Sequence, residues 1–252
     1  MHPLLRGVFD LILPPICLAC DGLIATGDTR RFVCRRCRTK LRAPPPPLCM
    51  RCGAPRLLTG RSIDPASCQE CCEWPPQLQR ARSAFLMHPP ADRLVHQLKY
   101  RGWSGLAEMM GGAMAHAWAT CRDVGIERIV AVPTTASRRR DRGYNQAELL
   151  ALVVAREINR KCESLLERVV SAGTQTTLQP AARGANVAGA FQLSSNARNH
   201  LKDAHILVVD DVLTTGATTL ECTRTLLEGG ASSVSVLTFA RAFDTRRLLG
   251  EE

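Results

Sequence analysis

Short apolar runs alternate with longer amphipathic stretches between about residues 78 and 240. The short runs predict strands at 83–87, 129–132, 167–171, 191–193, 205–209 and 234–240. Apolar residues at helical spacing predict helices at 91–100, 106–121, 145–160 and 217–228. Because strands and helices alternate, we expect an α/β domain whose parallel sheet is covered by helices on both faces.

Three segments fall outside this alternation. Residues 134–142 are rich in arginine and are predicted to be a loop, and residues 172–190 form a long, weakly patterned stretch. Residues 4–13 predict a short amphipathic helix, because Asp10 interrupts their apolar pattern and Pro14 follows them. That interruption argues against a signal peptide, and no run approaches the ~20 apolar residues of a membrane span. We therefore expect a cytoplasmic protein with no integral membrane segment.

The cysteines fall into a repeated spacing. Eight of the twelve form four C-x-x-C pairs, separated by 13, 11 and 15 residues. Two such pairs supply four thiolates to a closed, structural zinc site, whereas a redox C-x-x-C needs only one pair. The simplest assignment is sequential, although the spacing leaves an interleaved one open. The expected zinc ligands are Cys17, Cys20, Cys34 and Cys37 for one ion, and Cys49, Cys52, Cys68 and Cys71 for the second.

Composition divides the chain in two. The cysteine pairs end before Pro75–Pro76, which predicts a zinc-binding module over residues 1–76 and an α/β domain over 77–252. Residues 1–61 hold eleven Lys/Arg against three Asp/Glu, a balance of +8 out of the net charge of +10. This asymmetry fits a polyanion partner such as nucleic acid. Alternatively, the arginines balance anionic tetrathiolate sites. Only Phe32 and Trp74 lie near the cysteines in sequence, which speaks against base stacking there.

The segment 206–220, ILVVDDVLTTGATTL, combines a strand, two acids, a turn with hydroxyls and glycine, and a helix. Such a turn leaves helix amides unpaired and adds the positive end of the helix dipole, so it suits an anion. The acids stand where a polyol or a metal-bound water would be held. No G-x-x-x-x-G-K-[ST] or G-x-G-x-x-G motif is present. The pattern predicts a sugar-phosphate site, against the alternative of an ordinary strand–turn–helix corner.

This segment resembles the signature of type I phosphoribosyltransferases. Further strings occur in a fixed order: LKYRG at 98–102, VP at 132–133, RGYNQA at 142–147 and GAF at 189–191. Together with the cysteine pairs they resemble the ComF family, also called the ComF/GntX type. The resemblance implies a type I phosphoribosyltransferase-like domain preceded by a small N-terminal double zinc ribbon. It also implies a link to natural competence, in which incoming single-stranded DNA is handled, and a weaker link to gluconate uptake.

The resemblance further implies a set of site residues for phosphoribosyl pyrophosphate and Mg²⁺. Asp210 and Asp211 are expected to hold the ribose hydroxyls and hydrated metal, and they form the expected catalytic set with Arg183, which would contact the pyrophosphate. The loop expected to hold the 5′-phosphate consists of Thr214, Thr215, Gly216, Ala217 and Thr218. The expected pyrophosphate site consists of Val132, Pro133, Thr134 and Arg142. For the two arginines, a surface or helix-capping role is the alternative.

Three hypotheses of function follow. The first is a protein that binds phosphoribosyl pyrophosphate, with phosphoribosyl transfer to an unknown acceptor as its possible activity. The second is a non-catalytic adaptor for single-stranded DNA or a competence helicase. The third is a regulator that senses phosphoribosyl pyrophosphate. The sequence reveals no acceptor.

Overall fold

The computed structural model describes residues 15–25, 28, 32–56, 68–121, 125–169 and 188–243. The helices are α1 Arg35–Lys40, α2 Ala91–Tyr100, α3 Leu106–Ala119, α4 Ala136–Arg142, α5 Gln146–Glu157, α6 Ala197–Leu201 and α7 Ala217–Glu228. The strands are β1 Leu78–Leu86, β2 Arg128–Ala131, β3 Lys161–Cys162, β4 Leu166–Arg168, β5 Phe191–Leu193, β6 His205–Leu213 and β7 Ser233–Arg241.

Five strands form a parallel sheet in the order β1-β7-β6-β2-β3. All nine residues of β7 are buried, as expected for a central strand that is covered on both faces. The carboxyl ends of β2, β6 and β7 therefore meet at one edge of the sheet, where open α/β sheets bind ligands. β4 and β5 pair antiparallel as a separate two-stranded sheet.

Two apolar cores lie on the two faces of the sheet. The first joins Leu207 and Phe239 to α2, α3, α5 and the first cysteine module. The second joins Val208 and Val236 to α6, α7, the β4–β5 pair and the second cysteine module. Residues 206–209 therefore read as one apolar run because successive side chains enter opposite cores.

Both cysteine modules are built onto the sheet domain. In the first module, the carbonyl of Leu18 accepts a hydrogen bond from the Gln97 side chain at 3.2 Å. In the second, the carbonyl of Arg51 accepts one from the N–H of Ala81 at 2.7 Å. This second contact covers part of the edge strand β1, which otherwise presents unpaired backbone groups to solvent.

The predicted α/β class and parallel sheet are confirmed, with differences in detail. Residues 134–142 are not all loop, because α4 begins after Thr135, whose side chain accepts a hydrogen bond from Arg138 N–H, and ends at Gly143 with φ 80°. None of its residues is buried, so no apolar pattern announced it. β6 continues through Asp210 and Asp211, so the acids do not end the strand.

Several short elements were not predicted or were displaced. β3 and α6 are too brief to show a period. The strand expected at 167–171 corresponds to β4 at 166–168, and residues 170 and 171 lie outside the described part of the chain. The predicted helix at 4–13 also lies outside the described residues. Over the residues described, none of the helices has both the length and the apolar content to cross a membrane.

Candidate functional site

The eight cysteines gather into two groups of four. Within each group the Sγ atoms lie within 4.8 Å of one another, and the grouping follows the sequential assignment: Cys17, Cys20, Cys34 and Cys37, then Cys49, Cys52, Cys68 and Cys71. The Sγ–Sγ distances are 3.9 Å for Cys20–Cys34 and 3.7 Å for Cys52–Cys68. A tetrahedral site with Zn–S bonds of 2.3 Å requires about 3.8 Å. The donor sets therefore fit two structural zinc ions.

Local hydrogen bonds lower the pKa of one cysteine in each module, while burial and neighbouring thiols raise the pKa of others, among them Cys71 to about 12. The N–H of Cys34 points at Cys17 Sγ at 3.3 Å, and the N–H of Cys37 points at Cys34 Sγ at 3.4 Å. Burial would raise the pKa of Cys17, but such amide contacts bring it to about 7. The Cys52 side chain, helped by nearby amides, lowers the pKa of Cys49 to about 4. Both modules thus hold a ligand that ionises readily, which is the form that binds zinc.

Asp210 and Asp211 stand near the carboxyl end of β6 and differ in environment. The side chain of Asp211 is 3% exposed, and its Oδ2 lies 2.9 Å from Lys99 Nζ on α2. Asp210 is half-buried, and its Oδ1 accepts a hydrogen bond from Asp211 N–H at 2.8 Å. Burial, and then the charge of Asp211, raise the pKa of Asp210 to about 8, although Lys99 opposes this. Within the part of the chain that the structure describes, the ion pair of these two carboxyl groups is that of Asp211 with Lys99.

The loop after β6 exposes Thr214 and Thr215 and then turns at Gly216, whose φ is 83°. Gly216 is the N-cap of α7 and provides no side-chain cap, although Thr215 Oγ1 accepts a long hydrogen bond of 3.4 Å from Ala217 N–H. Among the residues described, the N–H groups of Gly216 and Thr218 have no acceptor. Together with the dipole of a twelve-residue helix, these amides form a site for an anion.

The second cysteine module forms one wall of this loop. A Cβ placed on Gly216 would lie 3.8 Å from Trp74 Cζ2, and Trp74 is buried in the core on that face of the sheet. Arg51 fixes the segment before β1, because its guanidinium donates to the carbonyls of Cys71, Trp74 and Pro75. The loop at 214–218 and the second tetracysteine site are therefore in one packed unit.

The turn at Val132, Pro133 and Thr134 reaches the same sheet edge, since it follows β2, the neighbour of β6. The N–H of Val132 donates to Val209 O at 3.0 Å, and the Val132 carbonyl accepts from Asn145 Nδ2 at 3.1 Å. The structure thus brings this turn, the two acids and the loop at 214–218 to one edge.

The two arginines expected at the site have different outcomes. Arg142 ends α4, and its guanidinium lies 4.9 Å from the ring centre of Tyr100 and donates to Gln146 Oε1 at 2.8 Å. It is therefore held beside α2 by two neighbours. Arg183 lies outside the described residues.

Lys99 and Trp74 are site neighbours that no single sequence signal revealed. Lys99 occupies a helix position that an exposed lysine would fill equally well, and only its place in the LKYRG string marked it. A third neighbour, Arg168 of β4, is half-buried and lies 5.2 Å from the Phe191 ring centre. Burial and the charge of Arg138 lower the pKa of Arg168, while the charge of Asp210 opposes them. These contacts cross between elements that are far apart in sequence.

Comparison with known proteins agrees with this architecture. Residues 8–72 match the model of the double zinc ribbon domain, and residues 146–248 match that of the phosphoribosyl transferase domain. The chain is therefore a phosphoribosyltransferase-fold protein with an N-terminal double zinc ribbon. It is 30% identical over 236 residues to the DNA utilization protein YhgH of Escherichia coli K12, covering 92% of this chain and 99% of that one. On this similarity, the chain belongs to the ComF family.

A second relative and a solved structure complete the comparison. The competence protein ComFC of Bacillus subtilis is 28% identical over 256 residues, which covers 90% of this chain and 95% of the relative. Glutamine phosphoribosylpyrophosphate amidotransferase from B. subtilis aligns at 18% identity with a TM-score of 0.36, over 52% of this chain and 25% of that enzyme. The relatives' names link the family to competence and DNA utilization.

Proposed function

We propose that this protein binds phosphoribosyl pyrophosphate at the carboxyl edge of its sheet, with the 5′-phosphate on the loop at 214–218. The observation that carries the proposal is the pairing of free helix amides at Gly216 and Thr218 with the acidic pair next to them. A single phosphate monoester fits a single helix N-terminus. The hydroxyls of Thr214, Thr215 and Thr218 complete the coordination of that group, and Ala217 contributes its backbone.

Asp210 and Asp211 take the ribose hydroxyls in this proposal. When both are ionised, the two carboxylates carry one charge more than Lys99 neutralises. Carboxylate oxygens that keep an uncompensated charge suit Mg²⁺, a hard cation that retains several of its waters. Bound Mg²⁺ would supply charge neutralisation for the pyrophosphate. Asp211, held in place by Lys99, orients the sugar. Asp210, once its carboxyl group is ionised, accepts hydrogen bonds from the ribose hydroxyls.

The pyrophosphate is assigned to the turn formed by Val132, Pro133 and Thr134, with Arg142 and Arg183 as its counter-charges. This turn adjoins the loop at 214–218 through the pairing of β2 with β6. Arg183 lies between β4 and β5 in the sequence, and the family resemblance is the ground for assigning it to this group. In a transfer reaction, a nucleophile would attack the anomeric carbon as pyrophosphate leaves, and positioning with charge compensation would supply the rate. Asp210, Asp211 and Arg183 are the proposed catalytic residues.

The cellular role we propose is the handling of incoming single-stranded DNA in the cytoplasm, with a competence helicase as a protein partner. The names of the relatives and the basic balance of residues 1–61 support this role. The proposed division is a zinc-binding domain over 1–76 that engages nucleic acid and a sugar-phosphate domain over 77–252. In the adaptor alternative the second domain serves only as scaffold. In the regulator alternative the sugar phosphate is a signal.

Isothermal titration calorimetry tests the binding proposal directly. Phosphoribosyl pyrophosphate is titrated into the full chain with and without Mg²⁺, and into the isosteric Asp210→Asn variant. We expect binding that requires Mg²⁺ and weakens at least tenfold in the variant, with Glu228→Gln at the far end of α7 unchanged. Thermal melting establishes that both variants fold. Absence of heat at millimolar ligand would contradict the proposal, and a coupled assay for pyrophosphate release separates binding from transfer.

A further inference from the structure

Two pairs of ring-bearing side chains lie where the first cysteine module adjoins the end of α2. This aromatic strip consists of Phe32, His96, Tyr100 and Trp103. The Phe32 and Trp103 ring centres are 6.1 Å apart in an edge-to-face contact, and those of His96 and Tyr100 are 5.1 Å apart. Tyr100 is 63% exposed and Trp103 is 43% exposed. Aromatic rings of this size are costly to leave in water, so such a strip marks a surface that meets a partner.

The aromatic strip is bordered by arginines. Arg101 is exposed between Tyr100 and Trp103 in sequence, and Arg142 rests on the Tyr100 ring. Arg142 ends α4, a helix without a buried residue that also exposes Arg138 and Arg140. Asp21 and Asp92 line the same cavity, where Asp21 is paired with Arg93 at 2.9 Å and Asp92 Oδ1 accepts a hydrogen bond from the N–H of Arg93. Exposed rings therefore lie next to two arginines, Arg101 in sequence and Arg142 in a ring contact.

Ring faces next to arginines are the recognition chemistry of unpaired nucleobases with their phosphates. Bases of single strands stack on aromatic side chains while cationic side chains follow the backbone, and a duplex hides its base faces. The open cavity that Phe32, His96, Arg101 and Trp103 help to line measures about 1070 Å³. This volume is slightly above the ~300–1,000 Å³ of small-molecule pockets, which favours an extended ligand.

We propose that the aromatic strip is the surface on which this protein binds single-stranded nucleic acid, with bases on Trp103 and Tyr100 and phosphates on Arg101. The inference rests on the proposed role in DNA handling and is independent of phosphoribosyl pyrophosphate binding. It also revises the sequence-based expectation that stacking is poorly supported. Only Phe32 and Trp74 are near the cysteines in sequence, but the fold brings Trp103 to Phe32 and His96 to the same cavity.

The fluorescence of Trp103 serves as the probe for this test. The three tryptophans of the chain are Trp74, Trp103 and Trp118, and the other two are each 8% exposed. Trp103 therefore dominates quenching by a ligand at the surface. A single-stranded oligonucleotide of mixed sequence is titrated into the zinc-loaded full chain while tryptophan emission and the anisotropy of a 5′-fluorescein label are recorded. The same experiment is run with the matching duplex and with mononucleotides.

We expect the single strand to quench the emission of Trp103. The anisotropy of the label should rise over the same concentration range. Trp103→Ala weakens binding roughly tenfold, as loss of one base stack does, and Trp103→Phe restores most of it without the quenching. Arg101→Gln lowers the slope of log affinity against log salt by about one. The matched controls are Leu152→Ala, an exposed apolar residue on α5, and Arg198→Gln on α6. Neither changes binding, and zinc content stays at two ions per chain in all variants.

Three results would overturn the proposal. In the first, the single strand binds without quenching and Trp103→Ala has no effect, which places the nucleic acid elsewhere. In the second, mononucleotides quench as strongly as the oligonucleotide, which makes the surface a site for a free nucleotide. In the third, the duplex binds as tightly as the single strand. Each of these leaves phosphoribosyl pyrophosphate binding untouched, because Trp103 has no part in that site.

Discussion

Gly216 and Asp210 contribute to the proposed ligand site in different ways, one through its backbone and the other through its carboxyl group. Gly216 adopts a left-handed conformation that only glycine tolerates without strain, and this conformation turns the next amides outward. Asp210 is a half-buried acid whose neighbour, Asp211, has already engaged the nearby lysine. A ligand that brings both a phosphate group and a bound Mg²⁺ ion suits these two residues at once. Each residue gives a separate prediction.

The first prediction concerns the backbone of the loop. Gly216→Ala forces a residue with a Cβ to φ 83° at a cost of roughly 1–2 kcal/mol, although the space around it is free of clashes. We expect phosphoribosyl pyrophosphate affinity to fall at least tenfold by calorimetry, because the loop relaxes and its amides turn away. Gly230→Ala, at φ 106° beyond the other end of α7, is the control for stability alone. Equal losses of affinity in both variants would contradict the role of the loop.

The second prediction concerns pH. Because the pKa of Asp210 is raised to about 8 in the fold from 3.8, the folded protein holds a proton that the unfolded chain releases between these values. Stability contributed by this group is therefore lost as pH rises from about 4 to about 8. Asp210→Asn removes this loss. Without added Mg²⁺, the unfolding free energy of the variant should therefore rise relative to that of the parent by roughly 1–3 kcal/mol across that range.

Urea unfolding at several pH values checks this expectation. The difference in unfolding free energy between Asp210→Asn and the parent should be small near pH 4.5 and should grow up to pH 8. A control that removes no ionisable group, Leu152→Ala at an exposed position of α5, keeps a constant difference. If the parent were instead the more stable protein at pH 8, the assignment of Asp210 as a raised-pKa acid would be wrong.

At the scale of elements, the second cysteine module acts as part of the sheet domain. It adds a backbone hydrogen bond to the edge strand β1 and places Trp74 against the loop at 214–218. Arg241, which ends β7, is buried and donates to the carbonyl of Cys52 at 2.7 Å. A zinc ion held by this module would therefore support the sheet edge on which the proposed ligand lies. The first module instead packs on α2.

Arg51 is the polar link between the second module and β1. Its guanidinium donates hydrogen bonds to the carbonyls of Cys71, Trp74, Pro75 and Leu78. Arg51→Lys keeps the charge but cannot reach these acceptors as a fork, so we expect a loss of about 1–3 kcal/mol in unfolding free energy. Arg93→Lys, in a half-exposed ion pair with Asp21, should cost less than about 0.5 kcal/mol. Similar losses in both variants by urea unfolding would refute this role for Arg51.

The two zinc sites should differ in their effect on ligand binding. Cys52→Ser removes a buried ligand of the second site, and Cys20→Ser removes an exposed ligand of the first. Elemental analysis should fall from two zinc ions per chain towards one in each variant. Phosphoribosyl pyrophosphate affinity should drop only in Cys52→Ser, because only the second module touches the loop through Trp74. Loss of affinity in the first variant alone would contradict the proposed coupling.

For the whole molecule, the sequence predicted what depends on local pattern. The apolar run before Asp210 and the helix after Gly216 were visible because strand and helix periods and turn residues act over a few positions. The C-x-x-C spacing likewise predicted both tetracysteine sites, since each knuckle is local. The helix at 136–142 was missed because it buries nothing, and its capping signals at Thr135 and Gly143 were not used.

What the sequence did not give depends on contacts between distant segments. The ion pair of Lys99 with Asp211 joins residues 112 positions apart, and the contact of Phe32 with Trp103 joins the first module to the loop after α2. No local rule brings these residues together, because their partners are chosen by how α2 packs on the sheet. The aromatic strip is therefore a product of the tertiary fold.

The central claim is that the sheet edge at Asp210 and Gly216 binds phosphoribosyl pyrophosphate, and amide NMR on the isotopically labelled chain tests it most directly. Phosphoribosyl pyrophosphate with Mg²⁺ should shift the amide resonances of Gly216 and Thr218, and ribose 5-phosphate should shift the same amides. Inorganic pyrophosphate alone should leave them in place. Unchanged resonances of this loop at millimolar phosphoribosyl pyrophosphate, or the same shifts with pyrophosphate alone, would contradict the account.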